Sequence, residues 1–146
     1  MKRARSAYSI VELLVVVTVL AILVALASPA ISQASRRYAA LSAARELRSD
    51  LVAARTRAIL DGATVRVVVD TLAGTYGLVT ADGDTVRRRT LPSVLLLRST
   101  AWRQEILFTA RGTSSLYSTT WIGVAGDPDA RWHGARVAPT GAVIAL

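Results

Sequence analysis

Apolar and polar positions divide this chain into three stretches, each with its own period. From Ile10 to Ala27 the chain is almost wholly apolar; after Glu12, Thr18 is the only polar side chain. As a helix such a run spans roughly 27 Å, close to the hydrocarbon thickness of a bilayer. From Ala30 to Leu60 the sequence turns to Ala, Leu and Arg, all good helix formers. There Leu47, Leu51, Ala54 and Ala58 form one apolar stripe at helical spacing. Arg45, Arg48 and Arg55 lie largely off it and read as a solvated face. Pro29 lacks a backbone donor, but helix formers resume at once, so it bends the helix rather than ending it. Asp61-Gly62 supplies the stop, giving one helix roughly 75 Å long.

After Gly62 the period becomes two. Val65, Val67 and Val69 share one face, with Arg66 and Asp70 on the other. Tyr76–Thr80 and Thr85–Leu91 flank Asp82-Gly83, a hairpin signal. Further strands are expected at Val94–Arg98, Glu105–Thr109, Thr120–Ala125, Ala135–Ala138 and Ala142–Leu146. The predicted fold is α+β. The first half of a long N-terminal helix spans a membrane and is kinked near Pro29. Its second half, 29–61, packs on an antiparallel β head over 62–146.

Composition changes this picture little. Mean hydropathy of +0.40 is high for a soluble protein, and the N-terminal run accounts for much of it. With no cysteine there is no disulfide framework and no thiolate metal site. The net charge is +8, but three of the 18 basic residues precede Ala7; the remaining 15 against 10 acidic residues leave +5. His133 is the only histidine, which rules out a histidine cluster for a metal or triad; it reads as a surface or loop residue. Asp127 and Asp129 fall short of the six or more oxygens a hard cation takes. No nucleophile motif is present, and nothing argues for an enzyme, a cofactor or a small-molecule substrate.

Arg87, Arg88 and Arg89 form a compact basic run, and Trp102-Arg103 and Arg131-Trp132-His133 set rings beside cations, as single-strand binding requires. Alternation along a strand, however, sends Arg88 to the face opposite Arg87 and Arg89. This makes nucleic-acid contact through the run the weaker reading.

The sharpest local feature is Glu12. A carboxylate inside a membrane-length apolar segment costs a few kcal/mol, on the order of 3, and by default marks function. It is preceded by Lys2, Arg3 and Arg5 and by Ser6-Ala7-Tyr8-Ser9-Ile10-Val11. A cleaved secretory signal accounts for the basic leader and for Ala25-Leu26-Ala27. A plain anchor accounts for the leader and the span. Neither accounts for Glu12. Basic leader, small residue, aromatic, hydroxyl, aliphatic pair, glutamate and long apolar helix together resemble the type IV prepilin signal. That resemblance implies cleavage between Ala7 and Tyr8 by a prepilin peptidase, N-methylation of Tyr8, and pairing of Glu12 with a neighbouring subunit's N-terminal amine. The family usually has Gly before the cut and Phe after it, where this chain has Ala7 and Tyr8. Pro29 falls where pilin helices commonly carry a kinking proline.

The head shows a second resemblance. Ala43–Leu51 with Ala54–Ile59, Ile106-Leu107-Phe108 with Gly112, Trp121–Val124, and Arg136–Gly141 look like GspH/FimT-type minor pseudopilins. The resemblance implies a leader over 1–7, a transmembrane and filament-core helix over 8–28, and two small antiparallel sheets packed on the helix in the head. It implies a structural subunit of a type II secretion pseudopilus in the inner membrane, with the N-terminus cytoplasmic and the head periplasmic. Its partners would be the peptidase, other pseudopilins or pilins, and the membrane. The alternative is a FimT-like type IV pilus minor pilin in pilus assembly or DNA uptake. Pilus-type relatives that take up DNA carry Arg-rich C-terminal motifs, whereas this chain ends in apolar Ala142–Leu146. A third class is an unprocessed, membrane-anchored binding domain.

Overall fold

The computed structural model describes residues 9–127 and 131–146, with the backbone alone for 26–28. The chain divides into two compact units after Ser35.

In the first unit, helix α1 (Ile10–Asp61, 52 residues) begins at an N-cap. Ser9 Oγ accepts a hydrogen bond from the Val11 amide at 3.3 Å, and the Ser9 carbonyl accepts one from Leu13 at 3.2 Å. Thr18 Oγ1 donates to the Leu14 carbonyl at 2.7 Å, so the one hydroxyl of the apolar run is satisfied within the helix. The large apolar side chains from Ile10 to Val24 stand exposed, from 84% at Ile10 to 50% at Val16. The helix is long and apolar enough to cross a membrane. It continues through Pro29, and the Ser32 hydroxyl donates to the Pro29 carbonyl at 2.9 Å.

In the second unit the helix becomes one-sided. Ala40, Ala44, Leu47, Leu51, Ala54 and Ala58 are all buried, extending the expected stripe two positions upstream. The helix ends as a Schellman motif: Gly62 at φ +61 donates to the Ile59 carbonyl, and Ala63 donates to that of Ala58. Eight strands follow: β1 (Val65–Asp70), β2 (Thr75–Val79), β3 (Thr85–Thr90), β4 (Leu95–Ser99), β5 (Glu105–Phe108), β6 (Ser118–Val124), β7 (His133–Val137) and β8 (Val143–Ala145). They form two antiparallel four-stranded sheets, ordered β3-β2-β1-β5 and β4-β6-β7-β8. Val65, Val67, Val69, Ile106 and Phe108 from the first sheet share one core with Leu97, Ile122, Ala135 and Val137 from the second and with the helix stripe.

Two local expectations are corrected, and one segment without an expectation is assigned. β6 and β7 pair further than expected, from Ser118↔Val137 to Ile122↔His133, which places His133 half-buried in a strand rather than in a loop. Arg55 belongs to no solvated face: its Nε donates to the Gly112 carbonyl at 2.9 Å. Trp102–Gln104, unassigned in the sequence, forms a single 3-10 turn with Arg103 and Gln104 at positive φ, 53° and 60°.

Candidate functional site

The residues singled out in the sequence fall into separate places. Ala7 and Tyr8 lie outside the described residues. Glu12 stands in the first turn of α1, where the helix dipole favours an anion. It is exposed among Val11, Leu13, Val15 and Val16, and among the described residues no cation meets it. A segment of this kind has no core of its own. Its apolar surface is left uncovered by the described residues, and a carboxylate set in such a surface is costly wherever that surface is buried without a positive partner.

Arg87 and Arg89 reach back from β3 to the helix. Arg87 bonds Asp50 Oδ1 at 2.5 Å, and Arg89 Nε bonds Asp50 Oδ2 at 3.2 Å. Arg89 also pairs with Glu46 at 3.2 Å, and the Tyr76 phenol donates to Asp50 at 3.1 Å. Asp50 is 2% exposed, and a buried charge of this kind is tolerated only when paired; two cations and a hydroxyl surround it. Burial, then the charge of Asp50 and its hydrogen bond, push the Tyr76 phenol well above the ordinary tyrosine range. The hydrogen bond to Asp50, followed by its charge, raises Arg89. Arg88 faces away from this cluster, as strand alternation requires. The three arginines therefore do not act as one patch.

Asp50 is the residue the sequence reading missed. It sits three after Leu47 and four before Ala54, on the edge of the apolar stripe, and that spacing was the available signal.

The glycines of the head pattern also acquire a physical reason. Gly112 (φ +74) and Gly141 (φ +76) bring two loops together over Arg55 and Ile59. A Cβ on Gly141 would lie 1.7 Å from the Gly112 carbonyl oxygen, and one on Gly112 would lie 2.6 Å from Ile59 Cδ1.

On the outer face of the second sheet, Trp132 covers Gly123, and the Arg98 guanidinium lies 4.7 Å from the centre of its ring. The cation stacked on Trp132 thus comes from β4. Arg136 similarly lies 5.4 Å from the centre of the Tyr117 ring. Among the described residues no group of three or more His, Asp or Glu is placed to hold a metal ion. Asp127 pairs with Arg37 at 3.2 Å, and Asp129 lies outside the described residues.

Comparison with known proteins agrees with this architecture. The family model described as type II transport protein GspH matches residues 43–141, and that of the prokaryotic N-terminal methylation motif matches residues 2–28. The fold is similar to that of the minor pseudopilin EpsH from the type 2 secretion system of Vibrio cholerae. That similarity has a TM-score of 0.64 at 20% identity, over 73% of this chain and 95% of that one. It is also similar to the type IV minor pilin FimU of Pseudomonas aeruginosa, with a TM-score of 0.63 at 21% identity, over 75% and 90% of the two chains. A search of the curated proteins found no match.

Proposed function

The chain belongs to the GspH family of type II transport proteins, and from that premise we propose that it is a structural minor pseudopilin of a type II secretion pseudopilus. The observation that carries the reading is Glu12 on an exposed apolar helix, inside the stretch that matches the methylation motif. Prepilin peptidase cuts between Ala7 and Tyr8 at the cytoplasmic face, Tyr8 becomes the methylated terminus, and residues 8–28 pass from the membrane into the filament core. Pro29 lets that segment bend against the rest of the helix. The head lies outside the cytoplasm and contacts other subunits or cargo. The protein's work is to pack and to dock, and it is itself the peptidase's substrate.

The Asp50 cluster supports a structural use of Arg87 and Arg89, since both are already held by helix carboxylates. Nucleic-acid contact would then depend on Arg88 and on cations elsewhere.

The test is the intact and N-terminal peptide mass of the protein from membranes of its host. The expected chain begins at methylated Tyr8. A chain beginning at Ser28 would make it a secreted soluble domain, and an intact leader would make it an ordinary anchored protein. Deleting the gene and scoring export against surface piliation separates the pseudopilus from the type IV pilus alternative.

A further inference from the structure

Outside the N-terminal segment and the Asp50 cluster, one feature of the head has chemistry without an internal use. β4 and β6 pair with Arg98 opposite Trp121, and alternation puts both on the outer face, since Leu97 and Ile122 face the core. Trp132 folds over Gly123, where a Cβ would lie 2.8 Å from the ring. Arg98, Trp121 and Trp132 line one shallow depression; a second, lined by Thr71, Leu97, Ser99 and the same Arg98 and Trp121, adjoins it.

Arg98 is exposed, and among the described residues it has a ring beneath it but no carboxylate beside it. Stacking holds a guanidinium in one plane and leaves its in-plane N–H groups pointing outward. A planar fork held this way suits a carboxylate, which it bonds through two parallel hydrogen bonds. Arg131 adjoins Trp132 in sequence and is exposed. The indole walls add an apolar surface for whatever carries the anion.

We propose that this depression binds a carboxylate side chain presented beside an apolar residue, on an acidic peptide segment of a protein partner. A nucleic-acid strand fits it less well. Strand binding uses open ring faces and several phosphate contacts in series. Here Trp132 is already engaged by Gly123 and Arg98, and Arg136 is stacked on Tyr117. The proposal concerns the head surface alone, so a correctly processed chain that failed the following test would lose only this inference.

The experiment uses the full chain in detergent micelles and a fluorescein-labelled peptide alternating Asp and Phe, read by anisotropy. The controls are the same peptide with Asn for Asp and an oligothymidylate of similar length. Binding of the Asp-Phe peptide over both controls is expected. Arg98→Gln should weaken it by about tenfold or more, the loss of a charge-assisted pair. Arg88→Gln, on the other sheet, should leave it unchanged. Arg98 is exposed, so the variant should keep the wild-type circular dichroism spectrum. Equal binding by Arg98→Gln and wild type, equal binding of the Asn peptide, or no peptide binding would each overturn the proposal. Preferential, Arg98-dependent capture of the oligothymidylate would overturn the peptide assignment and give the site to nucleic acid.

Discussion

Asp50 and Tyr76 meet at 3.1 Å where the helix crosses the first sheet, and the phenol donates to a carboxylate that is itself 2% exposed. This bond and the two arginine contacts tie the helix to β2 and β3, at the sheet edge farthest from β5. The geometry makes the pair a lock with unequal halves. The arginine side chains are 53% and 42% exposed and can return to water, whereas Asp50 and Tyr76 cannot.

Asp50→Ala should therefore destabilise the head by about 2–4 kcal/mol, chiefly by stranding the Tyr76 hydroxyl and opening the helix–sheet contact. Arg87→Gln should cost less than about 1 kcal/mol, because Arg89 still faces the carboxylate. Urea unfolding of the two variants measures the difference. Equal losses would show that the energy lies in the arginines.

Tyr76 gives the cluster a pH dependence. Its folded-state pKa is raised from an ordinary 10.0, so the neutral phenol is the form the fold favours. The raised value contributes stability fully below pH 10, and that contribution is lost as pH climbs above it. The melting temperature should hold level across neutral pH and fall from about pH 10 upward. In Tyr76→Phe the alkaline fall should be shallower and the neutral-pH stability lower by about 1 kcal/mol.

Gly141 is the least replaceable position in the head. It combines positive φ with a backbone oxygen where a Cβ would go, so Gly141→Ala must move a loop. A loss of about 3 kcal/mol or more is expected. Gly112→Ala meets the flexible end of Ile59 instead of backbone, and should cost less. Thermal melts of the two alanine variants test the order.

Most of the architecture was legible in the sequence because its signals are local. The stripe through Leu47, Leu51, Ala54 and Ala58, the Gly62 stop and the alternation in β1 each depend on residues a few positions apart. What escaped depends on partners far apart in sequence. Asp50 is one acid among ten until Arg87, Arg89 and Tyr76 arrive from the sheet. Arg55 looks solvated until the loop of Gly112 closes over it, and Trp132 draws its cation from β4 instead of from its neighbours. The strand ends shifted by a residue or two for the same reason, since the partner strand decides where pairing stops.

Glu12 offers the prediction with the largest consequence. In the membrane its charge is a burden, so Glu12→Ala should insert at least as well as wild type. In the proposed filament the carboxylate would face a neighbour's terminal amine in a medium of low dielectric, and removing one member of such a pair would cost on the order of 3 kcal/mol. That is about a hundredfold in each docking step. The proposed methylation would leave the amine protonated, so a processed terminus would retain the required charge. Glu12→Gln keeps the size but not the charge and should fail like alanine, while Glu12→Asp should recover part of the function. The measurement is the fraction of protein recovered in sheared filaments against the fraction in membranes. Wild-type incorporation of the alanine variant would remove the carboxylate from the assembly mechanism and leave apolar packing as its sole driving force.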